Sequence, residues 1–99
     1  MCVSFLLPFS INEVKGHSMQ PNLNEGNKVV VFRWAYGLSR PLIGDVIVFS
    51  GNDSKEYVKR IVAVANKNEF IVQGDNKSDS KKLPPVSRKA IIGKVVATY

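Results

Sequence analysis

Short runs of β-branched and aromatic residues recur along this chain, each closed by a cluster of Gly, Asn, Asp, Ser or Pro. Little in the sequence has a helical period, and the pattern is that of an all-β domain. The runs predict strands over residues 11–15, 28–34, 45–49, 57–65, 70–73 and 90–98. Turns are predicted around Glu25-Gly26, over 50–54 and over 66–68, with irregular chain over 36–44 and 74–87. No internal repeat, low-complexity tract or linker interrupts the pattern, so residues 1–99 read as one domain.

Alternate residues of a strand share a face. Over 57–65 one face carries Tyr57, Lys59, Ile61 and Ala63, and the other carries Val58, Arg60, Val62 and Val64. Lys59 is therefore flanked by Tyr57 and Ile61. A lysine desolvated between such neighbours loses stability in its charged form, and its pKa falls. A neutral lysine can serve as general base towards a hydroxyl. The spacing alone favours an exposed strand lysine, with Arg60 its equal partner.

A hydroxyl for such a base stands in the stretch KGHSMQPNL, residues 15–23. Gly16 permits a sharp backbone turn before Ser18, because glycine tolerates φ values that other residues avoid. Pro21 fixes φ and removes an amide donor, so the chain cannot continue there as a regular ladder. Ser18 is expected on a stiff, non-repetitive turn between two extended segments. Such a turn can hold up a nucleophile or be a plain loop.

Composition narrows the classes. The 99 residues allow one modest core. A net charge of +6 suits solubility, anionic lipid or nucleic acid. The basic residues are scattered along the chain, which argues against a nucleic-acid site. Cys2 stands alone and cannot form an internal disulfide. One histidine and one cysteine do not supply a persuasive metal-ligand set. The apolar start, MCVSFLLPF, is interrupted by Pro8 and is far shorter than the roughly 20 residues of a bilayer span. It also lacks the charged start and small-residue cleavage site of a secretory signal. It is expected to pack on the domain, with a shallow interfacial anchor as the alternative.

Several segments, in order, resemble the type I signal peptidase family of Ser–Lys proteases. Gly16-His17-Ser18-Met19-Gln20-Pro21 resembles the nucleophile box, and Gly44-Asp45-Val46-Ile47-Val48-Phe49 the family's G-D-hydrophobic strand. Tyr57-Val58-Lys59-Arg60-Ile61-Val62 is similar to the general-base box. Gly74-Asp75-Asn76 with Ser78-Asp79-Ser80 is similar to the last box, and Ile92-Gly93-Lys94-Val95-Val96 to the terminal strand. The resemblance covers residues 11–99. In its small size the chain is similar to the maturation proteases of nickel-type superoxide dismutase.

The resemblance implies a single catalytic core of short, strongly bent antiparallel strands, partly barrel-like, with 1–10 as an apolar N-terminal segment and 11–99 as the core. It makes Ser18 the nucleophile and Lys59 the general base, with the Ser18 N–H as an oxyanion donor. Much of the family adds a hydroxyl donor two residues before the nucleophile, where this chain has Gly16. Ser78 is implied to orient Lys59, and Asp79 to support its loop through a partner such as Lys81 or Arg88. Gly74 and Asp75 are implied to serve loop geometry. His17, Met19 and Pro21 are implied to contact substrate; His17, as the neighbour of Ser18, is a poor second base. The implied partner is an extended N-terminal segment of a protein substrate, added as a strand, with a membrane surface or membrane-anchored protein as a further partner. No metal, cofactor or nucleic acid is implied. Location is either peripheral on a membrane or cytoplasmic, with no transmembrane helix in these residues.

The chain also departs from the family pattern. Asn22 replaces the usual Thr, and Asn27 stands where Asp is frequent. Ala65-Asn66 lacks the usual Pro-Gly-Asp, and the last box is two residues short between Asn76 and Asp79. The missing hydroxyl and the short box leave room for a catalytically inactive binding module. A self-cleaving repressor, also a Ser–Lys protein, needs a DNA-binding segment and an internal cleavage site before the serine. The 17 residues before Ser18 carry neither.

Overall fold

Strands form where the β-branched runs predict them in the computed structural model, which describes residues 9–16, 19–33, 36, 40–76 and 83–99. They are β1 (Phe9–Glu13), β2 (Lys28–Phe32), β3 (Val46–Ser50), β4 (Glu56–Asn66), β5 (Glu69–Gln73), β6 (Val86–Ser87) and β7 (Ile91–Thr98). A 3₁₀ turn, Arg88–Ala90, leads into β7, with the Ser87 hydroxyl accepting from the Lys89 N–H. All neighbouring strands are antiparallel, in the order β1-β2-β7-β3-β4-β5-β6. Among the described residues no helix is long and apolar enough to cross a membrane.

The register sorts the side chains into two small cores, one on each face. Val29, Val31 and Val48 pack with Val14, Met19 and Leu23 on one side. Ile47, Phe49, Ile61, Phe70 and Val72 pack with Val86 on the other. Both faces are therefore covered at the centre, which is why β3 reads as an unbroken apolar run, Val-Ile-Val-Phe, rather than an alternating one. Gly93 lets β7 cross between them. A Cβ there would lie 2.7 Å from the Phe32 carbonyl oxygen and 2.7 Å from Val31 Cγ1.

Register shifts interrupt the ladders at Val30/Val31, at Val48/Phe49 and twice along β4. Such bulges bend strands and increase their twist. The resulting curl is large. In a flat sheet β1 and β4, four steps apart, would be separated by roughly 19 Å at ~4.8 Å per step. Instead, Asn12 Nδ2 on β1 donates to Glu56 Oε1 on β4 at 3.1 Å. The strongly bent character is thus present, but the barrel is not closed, because β1 and β6 are unpaired edges among the described residues.

Element bounds differ from the sequence pattern by more than one residue at three places. β1 starts at Phe9, which stacks on Phe32 with ring centroids 5.0 Å apart, and it ends at Glu13. β2 ends at Phe32, short of Trp34. Residues 86–87, expected to be irregular, pair with Phe70 and Glu69 as β6; two residues are too few to show a period. The packing expected of the first eight residues lies outside the described part of the chain.

Candidate active site

Lys59 is 8% exposed and is the buried charged side chain of the described core. Its place on β4 explains this. It sits opposite Ile47 of β3 and shares its face with Tyr57 and Ile61, as the alternation predicts. Tyr57 is fixed in turn. Its ring stacks on Phe49 at 5.8 Å, and its hydroxyl donates to Asp53 Oδ2 at 2.5 Å. That hydrogen bond holds the Asp53 carboxyl below its ordinary value and the Tyr57 hydroxyl above its own.

Pairing of β4 with β5 begins only at Arg60, so residues 56–59 have β3 on one side and no β5 partner on the other. A cleft of about 260 Å³ opens at this stretch. Glu56, Tyr57, Val58 and Lys59 form one wall, and Glu13, Val14, Lys15, Gly16 and Met19 form the rest. The second wall is the chain running into and out of Ser18. Gly16 has φ +84° with open space around its α-carbon, so the backbone conformation, not crowding, calls for glycine. Its N–H donates to Glu25 Oε2 at 3.3 Å.

Beyond the serine the chain forms a tight turn. Leu23 N–H donates to the Met19 carbonyl at 2.8 Å, and both side chains are buried. The Gln20–Pro21 peptide bond is cis. Further along, Val14 N–H bonds to the Asn27 carbonyl and Gly26 N–H to the Val14 carbonyl, closing the loop at its base.

A polar clamp ties this turn to β4. Arg60 Nε and Nη2 donate to Asp75 Oδ1 and Oδ2 at 2.9 and 2.8 Å, and Arg60 Nη1 reaches the Gly44 carbonyl at 2.8 Å. Asn22 Nδ2 donates to Asp75 Oδ2 at 2.7 Å. The Arg60 hydrogen bonds hold the Asp75 carboxyl below its usual range, with Asn22 adding to the effect, and the guanidinium is held above its own. A second network surrounds Asp45, whose Oδ2 accepts from the Tyr36 hydroxyl at 2.7 Å and from Leu42 N–H at 3.1 Å. Lys94 Nζ lies 3.5 Å from Asp45 Oδ1. Burial and the Asp45 carboxylate push the Tyr36 hydroxyl far up.

Gly16, Met19 and Lys59 thus meet at one cleft. Pro21 lies on the exposed side of the turn, outside the cleft lining. Ser18, His17, Ser78 and Asp79 lie outside the described residues, as does Lys81. Arg88, the other partner expected for Asp79, donates from Nη2 to the Tyr36 carbonyl at 2.7 Å. Gly74 is buried and Asp75 serves the clamp, in keeping with a geometric role for that loop. The sequence pattern missed the cleft residues Glu13 and Glu56, and the clamp itself. One signal was available: Arg60 faces away from Lys59, so it needed a carboxylate on the opposite face, and Asp75 follows the next strand. Among the described residues, no group of three or more His, Cys, Asp or Glu could hold a metal ion.

Comparison with known proteins gives a consistent family. A family model described as signal peptidase, peptidase S26, matches residues 1–68. Signal peptidase I of Bacillus caldolyticus is 31% identical over 99 residues, covering 95% of this chain and 54% of that protein. Signal peptidase IB of Staphylococcus aureus strains Mu50 and N315 is 30% identical over 95 residues, covering 84% of this chain and 50% of theirs. The chain therefore spans about half the length of the curated relatives it matches.

Proposed function

This chain belongs to the signal peptidase family, peptidase S26, and on that premise we propose that it is a serine endopeptidase. Its substrate is a protein whose N-terminal signal or propeptide it removes. The observation that carries this reading is the cleft itself. Lys59, almost fully withdrawn from water, lines the same cleft as Gly16 and Met19, and those residues bracket His17-Ser18.

The chemistry follows from these groups. Burial penalises a charged ammonium, so Lys59 acts in its neutral form. It takes the Ser18 hydroxyl proton as Oγ attacks the scissile carbonyl carbon. The carbonyl oxygen becomes an oxyanion, which the Ser18 backbone N–H stabilises. The C–N bond then breaks, and the proton held on Lys59 passes to the leaving amine. Water gives a proton to Lys59 and attacks the acyl carbon; the ester C–Oγ bond then breaks, and Lys59 returns the proton to Ser18 Oγ. An extended substrate fits between the chain at 13–16 and the stretch 56–59, where β4 has no β5 neighbour.

Cleavage of presequence-bearing peptides, followed by mass spectrometry, tests the reading. Wild type is expected to cut, while Ser18→Ala and Lys59→Ala lose at least about 10³-fold in turnover with the fold kept. Normal turnover by Lys59→Ala would sink the dyad. A rival reading, an inactive binding module, draws on Gly16: it offers no hydroxyl, and its N–H is engaged by Glu25. Stoichiometric labelling of Ser18 by a serine-directed acylating probe counts against that rival. For the membrane surface or membrane-anchored partner, recovery on anionic vesicles by the full chain, lost on deleting residues 1–9, is the expected result.

A further inference from the structure

The catalytic pairing proposed above needs two chain segments to hold one relative position. Ser18 falls in sequence between Gly16 and Met19, ahead of β2, and Lys59 lies on β4. Proton transfer between them requires heavy atoms within roughly 2.6–3.2 Å. A displacement of about 1 Å at such a pair can cost on the order of 10²-fold in rate. Something must therefore index the serine loop against the strand.

We infer that Asn22 is a positioning residue, which docks the serine loop onto the strand of the general base through the Asp75 carboxylate. This inference rests on the protease reading. Asp75 receives two hydrogen bonds from Arg60, the residue directly after Lys59, and one from the Asn22 carboxamide, four residues after Ser18. One carboxylate thus joins a residue from each side of the dyad. Arg60 Nη1 on the Gly44 carbonyl anchors the same guanidinium to the turn that leads into β3. On the loop side, Leu23 N–H bonded to the Met19 carbonyl makes residues 19–23 one stiff unit. Movement at Asn22 is therefore transmitted to Met19, the immediate neighbour of Ser18.

Apolar packing alone does not supply this index. Met19 and Leu23 fill the core beside Val58, which sets depth, but apolar contact is non-directional. A bond from a neutral donor to a carboxylate adds direction. The donor is what matters at position 22. A threonine hydroxyl can donate to the same carboxylate, whereas an aspartate can only repel it.

The test uses the full chain, a cleaved peptide from the screen above, and the variants Asn22→Ala, Asn22→Thr and Asn22→Asp. Asn66→Ala, which removes two exposed turn bonds at the far end of β4, one accepted from Asn68 N–H and one donated to Glu69, serves as a stability control. The expected result is a fall of about tenfold in kcat for Asn22→Ala with KM within about twofold, since the loss falls on alignment. Asn22→Thr is expected to recover most of it, and Asn22→Asp to fall below Asn22→Ala. The rate of Ser18 labelling by the acylating probe should follow the same order. An Asn22→Ala enzyme with wild-type kcat overturns the inference. So does an Asn22→Thr no better than Asn22→Ala, or an equal kcat loss in Asn66→Ala. Those outcomes leave the protease reading standing; failure of the wild-type chain to cleave any peptide removes both.

Discussion

Lys59 occupies a strand position that the sheet otherwise gives to aliphatic residues, with Ile47 across from it and Ile61 two residues on. Function and stability pull apart at such a site, since a buried amine needs compensation that an apolar side chain does not. Lys59→Met keeps the length and most of the volume, so on the proposed dyad it is expected to abolish cleavage while the fold is kept. Calorimetry and the peptide assay, run on the same preparation, check this. Gly93 and Gly16 make the opposite contrast, both being structural for different reasons. Gly93→Ala forces a methyl against Phe32 carbonyl and Val31 at 2.7 Å, and is expected to cost about 1–3 kcal/mol. Gly16→Ala meets no atom within 4 Å and bears only the strain of φ +84°, about 1–2 kcal/mol. Urea unfolding of the two variants should rank them in that order.

At the level of elements, the Arg60–Asp75 pair joins β4 to the loop after β5 and, through Asn22, to the serine turn. Asp75 is held below its ordinary value of 3.8 chiefly by the Arg60 hydrogen bonds. Its contribution is therefore complete above the unfolded value and is lost as pH falls through the lower folded one. Asp75→Asn is expected to lower stability by about 1–3 kcal/mol at neutral pH. The gap between wild type and variant should stay level down to about pH 5 and narrow below about pH 4, as titrated unfolding curves can show. Much of this was legible beforehand. The alternation along 57–65 put Lys59 between Tyr57 and Ile61 and turned Arg60 away, and the resemblance placed Asp75 in a loop of geometric purpose. The hydrogen bond from Asn22 was not legible, because it spans 53 residues and no local period encodes a contact of that range. β6 was missed for a related reason: Val86–Ser87 is a strand only because Glu69 and Phe70 accept it as a neighbour.

Across the whole molecule, the strand order leaves β2, β7, β3, β4 and β5 in the interior and β1 and β6 at the margins. Val29, Val31, Ile47 and Val48 are at most 1% exposed, whereas β6 has two residues and one partner strand. Amide hydrogen exchange should be slowest in β3 and the facing part of β7, and fastest in β6 and the outer amides of β1. Uniform protection across all seven strands would contradict this order. The all-β class was readable from the runs and their turns, but the curl was not. It comes from bulges, which are properties of paired strands rather than of any one segment.

That curl makes the cleft a jaw whose two sides are distant parts of one leaf spring. Between β1, which leads into one wall, and β4, which forms the other, lie four strand-to-strand hinges in series. The angle at each adds to the next, and the Asn12–Glu56 hydrogen bond, the Asn22–Asp75–Arg60 clamp and the packing of Met19 against Val58 hold the two sides together. The width of the cleft is thus set partly at the Val30/Val31 kink, by residues that do not line it.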